Sequence, residues 1–367
     1  MTDELFIGMS PGTRHDGVDA VLVSFSNGSM DLLHAVCTPY PAAIKTTLGQ
    51  LLETGVPPTQ KASGLLDENL AYFFARVAQN LARETGLEMR DIRAIGSHGQ
   101  NVWHEPRGEN PMTIQLGRGD LIARNTGTTV INNFRGADVK AGGEGAPLAP
   151  LLHHSLFHSD MENRAIVNLG SIAKLTILPA KGGVTGYDCG PGNCLMDGWI
   201  KRQLQKDYDN DGRWAAKGEV DIQLLGRMLS DPYFSLPLPR SAGMEYFNQS
   251  WLDQKIGQTP PTPIDVQTTL AELCAQNITL SLAGAGRPDR LMVCGGGVHN
   301  VFLMQKIAGA LPDVVVESTA MHGTDPDWVA CSLFAWLARE RLAGRAQNTM
   351  VITGADHPVL LGDLHEP

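Results

Sequence analysis

The sequence has few cysteines, no long apolar run and no cluster of basic residues, and each shortage excludes a class of protein. The six cysteines are scattered and form no Cys-x-x-Cys pair, so they indicate neither a disulfide framework nor a zinc knuckle. Unpaired thiols of this kind are typical of a cytoplasmic protein. The apolar runs are far shorter than the roughly 20 residues of a membrane span, and the acidic N-terminus predicts no signal peptide.

The charge balance is also one-sided. A net charge of −10, with no run of Lys or Arg, argues against a nucleic-acid partner. Hydrophobic residues make up 43% of the chain and charged residues 19%, which predicts a soluble globular protein with an ample core. At about 150 residues per domain, the 367 residues predict two domains.

Strands alternate with helices in both halves of the sequence, which predicts an α/β protein with two sheets and a cleft between two domains. The long glycine-rich stretch of residues 134–150 places the domain boundary near its start. The first domain is expected to comprise residues 1–130 and a C-terminal tail of about residues 345–367, and the second to comprise residues 131–344.

One stretch, residues 186–193, organises the predicted site. It places a carboxylate, Asp188, beside a Gly-Pro-Gly sequence and Asn193, after a buried strand and before a helix. A carboxylate beside glycines is a common way to present a base to a ligand. An aspartate that caps the following helix explains the same pattern equally well.

Three glycine-bearing turns indicate ligand contacts, at residues 8–17, 142–147 and 295–297. The first could offer backbone N–H groups and a hydroxyl to an anion, with Asp16 holding a metal through water, although an ordinary hairpin loop fits too. The third follows a buried strand and opens a helix, as at nucleotide sites. Tight packing of a helix on a strand would also require small residues there.

Other polar residues lie where α/β proteins bind ligands. His98 and Gln100 end a strand, although His98 could equally be a histidine satisfied within a turn. Arg135 and Asp138 fall in residues 134–150, which are predicted to form a long glycine-rich binding loop. Together with the glycine turns, Asp188 fits a general base for phosphoryl transfer that faces the cleft.

Motifs in order along nearly the whole chain carry a resemblance. They are residues 12–13, 16–19, 97–100, 103–106, 134–135, 145–148, 187–193, 195–199, 230–235 and 294–297. In this set the chain resembles the anhydro-N-acetylmuramic acid kinases, which belong to the actin, Hsp70 and sugar-kinase fold group. The resemblance implies a two-lobed actin-like (ribonuclease H-like) ATPase fold with an interdomain cleft.

The resemblance also implies an activity: ATP and Mg²⁺ would be used to convert 1,6-anhydro-N-acetylmuramic acid and water into N-acetylmuramic acid 6-phosphate, in cytoplasmic recycling of peptidoglycan. By this analogy Asp188 is the base that activates water. The implied partners are the sugar and ATP, with no nucleic acid and no membrane, and a homodimer is left open.

The resemblance assigns the remaining site residues in two groups. Nucleotide contacts are expected at Gly12, Thr13, Arg14, His15, Asp16, Gly17, Val18, Asp19, Gly295, Gly296, Gly297 and Asn300. Sugar contacts are expected at His98, Gln100, Arg135, Asp138, Gly190 and Asn193.

The chain departs from the family pattern at several of these motifs. Arg14 and His15 follow Gly12-Thr13 where the family has a serine, and Lys174 replaces the asparagine that ends a family motif on the strand before Asp188. Gly136, Met244 and Ala330 are further departures. Two alternatives therefore stand beside the kinase: a weak or inactive relative that binds sugar or nucleotide, and a kinase for another anhydrosugar such as levoglucosan.

Overall fold

The chain folds into two units, each with its own sheet. The computed structural model describes residues 4–12, 17–26, 29–238, 240–258 and 260–367. The first unit comprises Met1–Leu152 and Trp328–Pro367, and the second comprises His153–Asp327. Among the described residues, no helix is both long enough and apolar enough to cross a membrane.

Strands and helices alternate along the chain as predicted. The strands are β1 (Glu4–Pro11), β2 (Gly17–Ser26), β3 (Ser29–Pro39), β4 (Ile92–Ser97), β5 (Gln100–Glu105), β6 (Met112–Leu116), β7 (Val130–Asn132), β8 (Arg164–Leu169), β9 (Ile172–Leu178), β10 (Thr185–Pro191), β11 (Arg290–Cys294), β12 (Val315–Ser318) and β13 (Asp363–His365). The helices are α1 (Ala42–Glu53), α2 (Gln60–Glu84), α3 (Gly119–Thr126), α4 (Phe134–Lys140), α5 (Ala149–Phe157), α6 (Cys194–Leu204), α7 (Ile222–Leu229), α8 (Gln249–Ile256), α9 (Pro263–Ala285), α10 (Val301–Ala310) and α11 (Val329–Leu342).

The two large sheets share one strand order. The first unit has the order β13-β7-β4-β1-β2-β3, and the second has β10-β9-β8-β11-β12. In each, three antiparallel strands that are consecutive in the chain lie beside two strands parallel to the first of them. The sequence pattern of strands followed by strand–helix repeats therefore folds in the same way twice.

Helix α2 illustrates how local signals set the element bounds. The side chain of Thr59 accepts a hydrogen bond from the Ala62 N–H, so the helix begins at Gln60. Its apolar positions pack into the core of the first unit, where Leu70, Phe74 and Leu81 are fully buried.

Helix α11 lies directly against β1 and β4 because these strands carry glycine at the contact. A Cβ at Gly8 would lie 2.5 Å from the Cys331 carbonyl oxygen, and a Cβ at Gly96 would overlap the Phe334 carbonyl group. The Cys331 thiol donates hydrogen bonds to the carbonyl oxygens of Gly8, at 3.2 Å, and Asp19, at 3.1 Å. Missing side chains on the strands thus allow backbone-to-backbone packing.

The division into units differs from the expected domain boundary. Residues 131–152 and 328–344, predicted in the second domain, belong to the first unit, because α11 packs on β1 and β4. Residues 134–140 also form helix α4 rather than the start of a loop, with Phe134 buried against Phe334 at a ring distance of 5.7 Å.

In the second unit, the two faces of β9 and β10 differ in polarity. Leu175, Tyr187 and Cys189 point into a core that includes the inner side of α9. Tyr187 donates a hydrogen bond of 3.0 Å to the Ser281 carbonyl on that helix. Because side chains alternate along a strand, the intervening residues Lys174 and Asp188 point to the opposite face.

We expect Gly96→Ala to lower the free energy of unfolding by about 3 kcal/mol, because the new methyl group would force α11 away from β4. Gly64→Ala is the matched control, since Gly64 lies in α2 with no atom within 4 Å of its missing Cβ. The free energy of unfolding of Gly64→Ala should rise by about 0.5–1 kcal/mol, because alanine lowers the conformational entropy of the unfolded chain. Urea unfolding measures both, and equal effects of the two substitutions would contradict the close packing.

Candidate active site

A row of polar side chains crosses the sheet of the second unit. Asn168 on β8 pairs with Lys174 on β9, which pairs with Asp188 on β10. Cys294, the last residue of β11, pairs with Asn168 from the other side. Directly opposed residues point to one face of a sheet. Asp188 therefore lies on this polar face, at the end of the sheet where β8 and β11 terminate.

The Asp188 carboxylate is buried but fully partnered. Its side chain is 6% exposed, and the Lys174 ammonium donates to Oδ1 at 2.8 Å. The Ser241 hydroxyl and the Ala242 N–H each donate to Oδ2 at 3.1 Å. A buried carboxylate needs such donors, because loss of water around a charge is costly. The carboxylate makes no cap to α6, so the competing interpretation of Asp188 as a helix cap is wrong.

The backbone of Asp188 is held as firmly as its side chain. Its N–H donates to the Arg240 carbonyl at 2.9 Å, and its own carbonyl accepts from the Tyr233 hydroxyl at 2.9 Å. Arg240 in turn donates to the carbonyl of Cys189 at 3.1 Å and packs over the Tyr233 ring. Burial raises the pKa of the Cys189 thiol to about 12, so this neighbour stays neutral.

The triple-glycine turn at residues 295–297 adjoins the same edge. Gly295 has φ +80°, and a side chain there would clash with Asn168, while one at Gly297 would lie 2.5 Å from the Leu169 Cβ. Close packing on β8 therefore requires both glycines. Gly296, in contrast, is exposed and has no atom within 4 Å of its missing Cβ. Only this middle residue of the turn presents open backbone.

Three other predicted contacts of the second unit have internal roles. Asn300 caps α10 by accepting a hydrogen bond from Leu303 N–H at 2.9 Å. Asn193 donates through its side-chain amide to the Leu169 carbonyl at 2.9 Å. Gly190, at φ +145°, is buried where a side chain would meet Phe234 and Asn277. The Asn193 and Asn300 side chains thus bond to backbone of their own unit, and the close packing at position 190 requires a glycine.

The first unit contains a histidine without a hydrogen-bond partner. His98 is 9% exposed, and neither of its ring nitrogens has a partner in the described part of the chain. Its ring lies 4.7 Å from that of Phe334. Burial, reinforced by the nearby Arg135 guanidinium, lowers the pKa of His98 to about 3. The expectation of a histidine satisfied within its turn therefore fails for the side chain.

Arg135 and Asp138, one turn apart on α4, differ in how far the fold uses them. The Arg135 guanidinium has no hydrogen-bond or ion-pair partner within the described ranges, and burial lowers its pKa to about 10. Asp138 is fully buried, and its carboxylate accepts from Gly145 N–H at 2.7 Å and from the Thr353 hydroxyl at 2.9 Å. The geometry favours loop fixation for Asp138 and leaves Arg135 free for a ligand.

Gln100 is used internally as well. It is 1% exposed, its side-chain oxygen accepts from the Tyr40 hydroxyl at 3.0 Å, and its amide donates to the Asn101 carbonyl. We therefore place Gln100 among the residues that support the site and His98 among those that could touch a ligand.

The predicted phosphate loop is described only at its two ends. Thr13, Arg14, His15 and Asp16 lie outside the described residues. The Gly12 N–H donates to the Gly17 carbonyl across the turn at 3.3 Å, and Val18 is fully buried. Gly17 approaches β3, where a Cβ would lie 2.6 Å from the Thr38 carbonyl oxygen. The Asp19 carbonyl accepts from the Cys331 thiol.

In the part of the chain that is described, no group of three or more Asp, Glu, His or Cys side chains converges to form a metal site. The histidines of α5 contact neighbouring side chains of the protein. His153 is buried and its Nδ1 lies 2.8 Å from the Thr176 hydroxyl, while His154 stacks against His158.

The partnership of Lys174 with Asp188 was missed by the sequence analysis, although a signal for it exists. The turn between β9 and β10 is centred on Lys181, which is followed by two glycines. Residues 174 and 188 are equally far from that centre, so a hairpin there pairs them. The Ser241 and Ala242 contacts come from a distant loop and leave no such signal.

Comparison with known proteins adds a family and several remote structural neighbours. The family model for anhydro-N-acetylmuramic acid kinase matches residues 4–367. Gluconate kinase from Lactobacillus acidophilus is 12% identical, with 100% of this chain and 94% of that chain covered and a TM-score of 0.48. A ROK family glucokinase from Streptomyces griseus, in complex with glucose and AMPPNP, is 15% identical, with 92% and 99% covered and a TM-score of 0.41.

The activator of the 2-hydroxyisocaproyl-CoA dehydratase from Clostridium difficile, with bound ADPNP, is also similar. It is 12% identical, with 94% of this chain and 98% of that chain covered, and its TM-score is 0.46. Because these three TM-scores lie below 0.5, they carry no argument about the site.

The α/β units, their repeated strand order and the family match define an ATP-dependent sugar kinase of the actin-like fold class. The match spans essentially the whole chain, which confirms the resemblance noted in the sequence. The chain belongs to the anhydro-N-acetylmuramic acid kinase family.

The neutral state of His98 leads to a prediction about stability and pH. Between the ordinary pKa of 6.5 and the folded value of about 3, the unfolded chain binds a proton at His98 and the folded chain does not. The free energy of unfolding therefore falls as the pH drops through this window, by up to about 1.4 kcal/mol per pH unit for one proton. His98→Gln should reduce that slope by nearly this amount when unfolding by denaturant is measured from pH 6.5 to 4.5. Identical slopes in the parent and variant proteins would refute it.

Proposed function

We propose that this protein phosphorylates 1,6-anhydro-N-acetylmuramic acid. The products are N-acetylmuramic acid 6-phosphate and ADP, and a water molecule opens the 1,6-anhydro bridge in the same reaction. The family match makes this protein an ATP-dependent sugar kinase, and the proposal gives it the substrate after which the family is described.

The observation that carries the proposal is the position of Asp188. It stands on the polar face of β10 in a row with Asn168 and Lys174, and this row ends beside the open backbone of Gly296. A carboxylate and an exposed glycine turn at one sheet edge are the parts that a phosphoryl transfer to a sugar needs.

In the proposed reaction, Asp188 accepts a proton from the attacking water. The water oxygen bonds to C1 of the sugar, the bond between C1 and O6 breaks, and O6 takes the phosphoryl group that ATP supplies. Ser241 and Ala242 would orient the Asp188 carboxylate throughout, since both donate to Oδ2. The proton passes from Asp188 to solvent after product release. A positioned base of this kind contributes about 10²–10⁴-fold in rate.

The residues fit a nucleotide at one turn. Gly296 offers exposed backbone with open space around it, where a flat or phosphorylated group can lie. The turn of residues 12–19 would supply further phosphate contacts, of which Thr13–Asp16 lie outside the described residues. Mg²⁺ would accompany ATP, with Asp16 as the proposed water-mediated contact.

His98 and Arg135 are the proposed sugar contacts. Both are buried or half-buried polar groups whose side chains have no hydrogen-bond partner in the described ranges. Such groups are rare unless a ligand satisfies them. A positively charged Arg135 suits the carboxylate of a muramic acid or a transferred phosphate.

The cellular setting follows from the substrate and the thiols. The six cysteines form no disulfide in the described part of the chain, and four of them are buried. Cytoplasmic recycling of peptidoglycan is the process in which we place the reaction.

A sugar-binding protein without turnover is the second candidate. The observation in its favour is that both Asp188 oxygens accept hydrogen bonds, which leaves little access for a water molecule. A kinase for another anhydrosugar remains the third. Mass spectrometry of the products from a panel of anhydrosugars separates the three.

We expect Asp188→Asn to lower sugar-dependent ADP release by about 10²–10⁴-fold, because an amide cannot take the proton from water. A coupled ADP assay with 1,6-anhydro-N-acetylmuramic acid measures this effect.

The matched control is Asp160→Asn, whose carboxylate lies in the same unit and is 92% exposed. It should retain the parent rate. If Asp188→Asn turns over as fast as this control, Asp188 is not the base.

A further inference from the structure

The Lys174–Asp188 ion pair is asymmetric in exposure. The Lys174 side chain is 49% exposed, whereas that of Asp188 is 6% exposed. Lys174 therefore forms the outer surface of this contact and covers Oδ1 of the buried carboxylate. Any water or ligand that reaches Oδ1 must first displace the ammonium or share it.

The ammonium also has unused hydrogen-bonding capacity. A lysine ammonium carries three N–H donors, and Asp188 Oδ1 is the one acceptor of Lys174 in the described part of the chain. Neutralisation of Asp188 alone does not require the Lys174 ammonium to be half-exposed with two N–H donors unused. Donors that point to solvent beside a carboxylate are suited to a second, exchangeable acceptor.

The local charge favours an anion as that acceptor. The Arg240 guanidinium donates to the carbonyls of Tyr233, Phe234 and Cys189 and to the Ser281 hydroxyl, all of which are neutral. With Asp188, Lys174 and Arg240 all ionised, these three groups carry one excess positive charge. Within the described ranges, no carboxylate forms an ion pair with Arg240.

Strand geometry brings this ammonium to the edge where a substrate would lie. Lys174 is flanked in its row by Asn168 and Asp188, and Asn168 borders the Gly295 turn. A flexible lysine stem allows the ammonium to move by several ångströms without any change in the strand.

We propose that Lys174 is a substrate-binding residue whose ammonium exchanges Asp188 Oδ1 for an anionic oxygen of a bound substrate. The anionic oxygen is the carboxylate of an acidic sugar or the terminal phosphate of the nucleotide. This inference rests on the proposed function, in which Asp188 is the base. When the ammonium moves to an anionic substrate, Asp188 Oδ1 becomes accessible to water. A neutral sugar alone would leave the ion pair closed.

Calorimetric binding measures the exchange without any turnover. Two ligand pairs identify the source of the anion: 1,6-anhydro-N-acetylmuramic acid against the neutral 1,6-anhydro-N-acetylglucosamine, and a non-hydrolysable ATP analogue against ADP. In one pair, Lys174→Met should weaken binding of the member that carries the extra anionic group, the sugar carboxylate or the terminal phosphate, by about 10- to 100-fold, the size of a lost charge-assisted hydrogen bond. The other member of that pair should change less than about threefold, and Lys174→Arg should restore part of the loss.

Lys181→Met is the matched control, because Lys181 is exposed in the turn of the same hairpin. It should leave all four affinities unchanged. Loss confined to the acidic sugar assigns the anion to the sugar carboxylate, and loss confined to the ATP analogue assigns it to the terminal phosphate. Equal losses for both members of each pair, or no loss, would overturn the exchange.

A double-mutant cycle tests the competition itself. Asp188→Asn should strengthen binding of the anionic ligand by about three- to tenfold, because Lys174 no longer has a carboxylate partner. That gain should vanish when Asp188→Asn is combined with Lys174→Met, which a general charge effect of Asp188 would not cause. A gain that persists in the double variant would refute the exchange.

The same experiments separate this inference from the proposed function. Absence of sugar-dependent ADP release in the parent protein removes the proposed reaction, while the affinity ratios still report on Lys174. Absence of binding by either anionic ligand removes the exchange as well.

Discussion

The site depends on the need to satisfy a buried carboxylate. Asp188 lies on a strand whose other face is a hydrophobic core, and its charge would be prohibitive there without close donors. Three donors from two separate segments meet this need: Lys174 on the adjacent strand, and Ser241 and Ala242 on a loop. The loop donors are a short hydroxyl side chain and a backbone N–H, while the lysine is long and half-exposed. The carboxylate is therefore held rigidly on one oxygen and adjustably on the other.

Glycine shapes both units, but for different reasons at different positions. At Gly8 and Gly96 the missing side chain allows helix α11 to rest on the sheet, and at Gly295 and Gly297 it allows a turn to rest on β8. No atom lies within 4 Å of the missing Cβ of Gly296, which is the one of the three glycines in its turn with open space beside its backbone. A Gly-Gly-Gly motif that suggests a ligand is thus mainly a packing device, with one residue left for binding.

Much of the architecture could be predicted from the sequence, because strand–helix alternation, caps and glycine turns are local signals. The strands β8 and β11 and the helices α6 and α10 lie where the pattern indicates. The domain boundary and α4 could not be predicted, because they depend on the docking of α11 and on the Asp138–Thr353 contact between residues 215 positions apart. The candidate site divides in the same way: the glycines around Asp188 are a local signal that singles it out as a candidate, whereas the internal bonds of Gln100, Asp138 and Asn300 depend on tertiary packing.

The discontinuity of the first unit has a consequence for biosynthesis. Its sheet is completed by β13, its central strands are covered by α11, and the loop after α4 is tied to Thr353, all from residues 328–367. The second unit is continuous in the chain and is translated in full before these segments emerge from the ribosome. Since domains fold as they are synthesised, the unit that is begun first is the last to be finished, and its sheet lacks β13 and the cover of α11 until the whole second unit has been translated.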